Sequence, residues 1–176
     1  MAPVPPASPG TVSVQSQVAT PNPTPTAAAT SSPTLNDRGA IVKKIGEMAG
    51  LKLESNEWTV QFKVTMIEAG YKCPAKYAER SKNGNFIAIH MDVQTTRALG
   101  SDKFWTDQWK VIGPDGTTEN DSNGNAWGCA NEADSLPGMI GAGEHVKGIV
   151  VLDSRYTSGA VMLEQPGMDG GWEWGF

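Results

Sequence analysis

Charge is missing from the first 36 residues, which run from Met1 to Asn36 without one Asp, Glu, Lys or Arg. With Pro, Ala, Ser and Thr supplying most positions, that stretch has too little to bury to offset its ordering entropy. It reads as an extended or disordered tether. It has neither a basic start nor an apolar signal core, so Met1 reads as a start placed after a removed leader, with a natural cytosolic start as the alternative. Long apolar runs are lacking too: no segment approaches the ~20 residues that a spanning helix requires. The net charge of −5, with signs interspersed, leaves no basic face of the kind nucleic acid or an anionic bilayer would need. No nucleic-acid partner is expected, and a membrane only through a lipid anchor upstream of the sequence.

Cysteine and histidine are scarce, two of each. A structural zinc site takes about four ligands at short spacings, which Cys73, Cys129, His90 and His145 do not supply. In an exported chain an even pair of cysteines is a disulfide, and the tether points to export, so Cys73 and Cys129 are expected to be bridged. A Gly-x-Ser-x-Gly elbow is also absent, so nothing singles out one of the many serines as a nucleophile beside a histidine. No catalytic residue, cofactor or resident metal is therefore assigned, and the chain is read as a non-enzyme.

What is present is alternation. In Asn85–Thr95 the residues Ile87, Ile89, Met91 and Val93 recur at every second position, the period of a strand with one buried face and the best candidate for the centre of a sheet. Trp58, Val60, Phe62, Val64 and Met66 alternate just as regularly with polar residues. Phe104–Ile112 reads as a further strand stopped by the Pro114-Asp115-Gly116 turn, Val146–Leu152 as a nearly continuous apolar one, and Gly159–Glu164 as the start of another. Trp172, Trp174 and Phe176 share one face of a last strand. A short helix over Ala40–Lys44 is open, limited by Gly39 and Gly46. About seven strands without an amphipathic helix favour an all-β, two-sheet antiparallel sandwich over residues 41–176, behind a linker over 1–40, with a closed barrel as the alternative. Some 140 residues bury roughly two thirds of their unfolded surface, enough for a self-sufficient core.

Recognition is then expected in the loops. Gly70–Asn85 carries Cys73 and Glu119–Asp134 carries Trp127 and Cys129, so the bridge would anchor one loop on the other, with an exposed apolar patch close by. Of the six tryptophans, Trp58, Trp172 and Trp174 are expected in the core. Trp105 and Trp109 share parity and would give their strand one aromatic, partly exposed face, and Trp127 stands in a polar loop; these three are the candidate binding residues. Asp121, Asn123, Asn125 and, eleven positions after Asp121, Glu132 have the oxygen spacing of a calcium loop, although Ala126 replaces the turn glycine and Cys129 takes a ligand position. His90 and Asp92 share a strand face and could pair or ligate.

Lys44–Phe176 resembles a family of immunoglobulin-like domains in secreted proteins and lipoproteins of Gram-positive bacteria, which includes mycobacterial immunoprotective extracellular proteins. The resemblance is carried by Ile45-Gly46-Glu47, by Gly84–Val93, by Val111–Gly116 and by Ile140–Asp153. The chain departs from the pattern at Gln94-Thr95-Thr96, where the family often has Asn, and in its two cysteine-bearing loops. The resemblance implies an immunoglobulin-like β-sandwich that is exported, usually lipid-anchored or free, with no established enzymatic activity. On this reading the domain engages an unknown protein or envelope component through its loops; a carbohydrate- or cell-wall-binding module using exposed tryptophans is the alternative.

Overall fold

In the computed structural model, Met1 and residues 35–176 are described, so the tether expected over the first residues falls, for 2–34, outside the described part. Ten strands follow in order: β1 (Ile41–Val42), β2 (Ala49–Lys52), β3 (Trp58–Ala69), β4 (Asn85–Thr95), β5 (Phe104–Trp105), β6 (Trp109–Ile112), β7 (Met139–Ile140), β8 (His145–Ser154), β9 (Ala160–Glu164) and β10 (Gly171–Gly175). Seven of these have four residues or more, which is the number the alternation predicts, and β1, β5 and β7 are two-residue pieces. A 3₁₀ turn at Arg97–Leu99, capped by the Thr96 side chain, is the helical element among the described residues.

The strands form two four-stranded sheets, ordered β1-β10-β9-β6 and β2-β3-β4-β8, and a ribbon of β5 with β7. All pairings are antiparallel except β1 with β10, where the first strand runs parallel beside the last. The fold is the antiparallel sandwich the sequence predicts. Ile87, Ile89, Met91 and Val93 of β4 and Val60, Phe62 and Val64 of β3 are buried against Val161, Leu163, Trp172 and Trp174 of the facing sheet. Phe62 marks the contact plane, with its ring edge-on to Trp172 at 4.9 Å and 6.1 Å from Trp174.

Residues 35–40, assigned from sequence to the linker, are tied to the sandwich. The Arg38 guanidinium donates from Nη2 to both Glu173 carboxylate oxygens, at 2.8 and 2.7 Å, and from Nε at 3.0 Å. Asn36 accepts the amides of Arg38 and Ala40. The helix left open over Ala40–Lys44 is instead β1, because Ile41 and Val42 pair with Trp172 and Glu173.

Two elements depart from simple alternation. A bulge lies between Val64 and Met66 of β3, so the parity of the strand flips. Met66 turns out to solvent, 43% exposed, while Ile67 packs on the core. The strand expected over Phe104–Ile112 is broken into β5 and β6, which belong to different sheets. Thr106 holds the break: its amide donates to Gly138 O at 3.0 Å and its hydroxyl to Pro137 O.

Candidate functional site

Between β3 and β4 the chain runs out into residues 70–84, and between β6 and β7 into 113–138. Both loops fold back over the outer face of β4 and β8 at one end of the sandwich. The sequence explains why they stay there. Phe86 points away from the main interior, yet it is buried, because Cys73, Tyr71, Ala126 and Cys129 close over that end as a satellite core. The Cys73–Cys129 disulfide joins the loops, as expected, and Ala75 N donates to Cys129 O at 3.3 Å.

Between the two loops sits a carboxylate that strand periodicity does not single out. Asp153, fully buried at the end of β8, accepts the hydroxyl of Ser81, the amides of Lys82 (2.8 Å) and Asn83 (3.0 Å) from one loop, and the amide of Asn125 (2.7 Å) from the other. Burial pushes its pKa up, but these donors outweigh the burial and hold the group below the usual carboxylate range. A Cβ on Gly124 would run into that carboxylate, and Gly124 also takes a positive φ of 39°, so both space and backbone ask for glycine. The signal available in the sequence was an Asp-Ser pair closing an otherwise apolar strand. The beginning of the second loop is fixed separately: buried Glu119 accepts the amide and Nε of Arg155 at 3.0 and 3.1 Å.

On this braced platform Trp127 is 95% exposed and Tyr77, from the first loop, 84% exposed. The indole lines two open depressions. One, of about 560 Å³, is shared with Tyr77, Lys76, Glu79, Asn131 and Glu132. The other, of about 780 Å³, lies between the Trp127 loop and the edge of β8, and includes Asp107, Glu132 and Val151. Beside Cys129 the structure thus exposes two aromatic rings, Trp127 and, from the other loop, Tyr77.

The other candidate tryptophans are placed differently. Trp109 is buried, 7% exposed, with its Nε1–H donating to Thr106 O at 2.8 Å, and its ring lies 5.7 Å from that of Trp174. This corrects the expectation of an exposed Trp105/Trp109 face: the break at Thr106 turns Trp109 inward, while Trp105 stays half-buried with its backbone clamped by Gln165. Trp172 and Trp174 are in the core as expected, whereas Trp58 is half-buried with the Lys52 ammonium 4.3 Å from its ring centroid.

The calcium spacing does not assemble a ligand shell. Asp121 is engaged by Lys82 Nζ at 2.8 Å and by Gly124 N at 3.1 Å, and Asn125 donates its side-chain amide to Arg80 O. Among the described residues no three His, Cys, Asp or Glu side chains come together as a metal cluster. His90 and Asp92 do not pair with each other: His90 meets Glu68 at 3.1 Å, while Asp92 meets His145 at 2.7 Å and Lys147 at 3.0 Å, all on the outer face of the β3-β4-β8 sheet. Desolvation raises the Asp92 pKa, but Lys147 and His145 more than reverse it, so the carboxyl is held below its ordinary value.

No protein-family model matches the sequence, and no curated protein matches it. Among solved structures the chain is similar to MPT63, a secreted protein from Mycobacterium tuberculosis, at 17% sequence identity and a TM-score of 0.49, over 78% of this chain and 98% of that one.

Proposed function

We propose that this is a non-enzymatic, exported domain that recognises a protein or envelope component with its two bridged loops. The observation that carries the reading is Trp127: a fully presented indole on a backbone immobilised by a disulfide and a buried carboxylate. An exposed large aromatic costs solvation and is the residue type that dominates binding interfaces when it becomes buried. Rigid support lowers the ordering entropy that association would otherwise require. Export is supported by the disulfide, which persists in oxidising compartments. A non-catalytic role is supported by the placement of both histidines on the outer sheet face, where each meets a carboxylate and neither lines the depressions beside Trp127.

A second reading, a carbohydrate- or cell-wall-binding module, is favoured by the flat rings of Trp127 and Tyr77 on one depression, which suit stacking on a sugar face. One experiment separates the two. The immobilised domain and its Trp127→Ala/Tyr77→Ala variant are each exposed to purified envelope protein and envelope polysaccharide fractions. Saturable retention of protein by the wild type, at least ~10-fold weaker for the variant, is the expected result. Retention of polysaccharide alone selects the second reading, and equal retention by wild type and variant contradicts both.

A further inference from the structure

The edge of β8 is covered at two places and open between them. Ile149 donates its amide to Asp134 O and accepts from Leu136 N, each at 2.9 Å, so its polar backbone groups point away from β4. Asp153 likewise donates outward, to Ser122 O at 2.8 Å. With the two-residue period of a strand, Val151 between them must also direct its N–H and C=O outward. No described residue meets either group. The parallel segment that covers Ile149 would have reached Val151 next, but Pro137 stops it and Thr106 draws Pro137 and Gly138 away into the β5–β7 ribbon.

This gap opens into the larger depression beside Trp127. The charge lining it has one sign, Asp107 and Glu132 with no Lys or Arg, while Lys76 stands across the Trp127 indole on the smaller depression. The sequence says the same over a longer range, for between Lys110 and Lys147 there are six acidic residues and no Lys or Arg. An unpaired strand edge takes an extended peptide, a presented indole takes a cation on its face, and the two carboxylates favour positive charge.

We infer that this depression docks an extended, basic segment of a partner protein, with one backbone residue bridging Val151 and a Lys or Arg side chain lying over the Trp127 indole between Asp107 and Glu132. Such docking rests on the reading of the bridged loops as a recognition face, and adds the chemistry of what they hold. The gap admits one bridging residue, because the Leu136 and Ser122 contacts bound it on either side. Specificity therefore lies in the cation and its immediate backbone rather than in a long added strand.

The test is a titration of the ¹⁵N-labelled full chain with acetyl-Val-Lys-Val-Lys-Val-amide, followed by the Val151 amide and Trp127 indole signals. Both signals are expected to shift saturably by about 5 mM peptide, and Trp127→Ala to weaken binding at least ~5-fold. The Val-Glu-Val-Glu-Val counterpart is expected to shift neither signal. Methylating the peptide's backbone amides should weaken binding at least ~3-fold by removing the hydrogen bond to Val151 O, as should raising salt from about 0.05 to 0.5 M by screening the carboxylates. Three results overturn the inference: no saturable shift with the lysine peptide, equal shifts with the glutamate peptide, or movement of Trp127 without Val151. If the lysine peptide fails while the Trp127→Ala/Tyr77→Ala variant still loses its envelope protein, the recognition face stands and the basic segment does not.

Discussion

Trp127 and Asp153 divide the work of the candidate site, one presenting and one holding, and substitution should separate them. Trp127→Ala removes a ring that touches little of the fold, so chemical denaturation should shift by no more than about 0.5 kcal/mol while partner binding drops. Asp153→Asn should behave in the opposite way. Each carboxylate oxygen accepts two donors, and an amide NH₂ in either position would face donors instead of accepting them. A loss of about 2–4 kcal/mol is expected by urea unfolding. The pH dependence follows from the same group. Its folded pKa lies below the unfolded carboxylate value of about 3.9, so its contribution is complete above that value and is lost as pH falls through the folded one. Asp92, also depressed, has the same sign. Thermal unfolding followed from pH 6 down to pH 2 should show a steep acid limb, shallower in Asp153→Asn; an unchanged limb would remove Asp153 as its source.

At the scale of elements, β3, β4, β8, β9 and β10 were legible because a half-buried strand writes its period into local sequence. What was not legible depends on residues far away in the chain. The bulge beside Thr65 leaves no mark on the alternation from Trp58 to Met66, yet it exchanges the roles of Met66 and Ile67. Met66→Lys is accordingly expected to change stability by about 0.5 kcal/mol or less, and Ile67→Lys to cost ~1–2 kcal/mol. Urea melts of the two variants check this, and the reverse order would mean that β3 runs through without a bulge. The break that buries Trp109 was hidden for a similar reason, since Thr106 is held by Pro137 and Gly138, about thirty positions later. Of the site itself, the two loops, the bridge and Trp127 could be read from composition and spacing. Tyr77 and the open edge at Val151 could not, because each becomes a surface feature only once distant segments are packed.

For the whole molecule, two features hold the loop end: the main core between the sheets and the satellite core beneath the loops. The disulfide closes 56 residues of chain, which the loop-entropy treatment values at about 4 kcal/mol. Reduction should therefore lower the midpoint of thermal unfolding by roughly 10 °C in a domain of this size. Differential scanning calorimetry with and without reductant measures it, and an unchanged midpoint would take the bridge out of the account. The β4-centred core should survive reduction as the last part to exchange its amides, since the bridge lies outside it. The most direct test of the proposed recognition face is photo-crosslinking in the native envelope, with benzoylphenylalanine placed at Asn131, which lines the smaller depression beside Trp127, or, on the exposed outer face of the β3-β4-β8 sheet, at Gln94. Discrete adducts from position 131 and none from position 94 are the predicted result; adducts from 94 alone, or from neither, would contradict the assignment of recognition to the bridged loops.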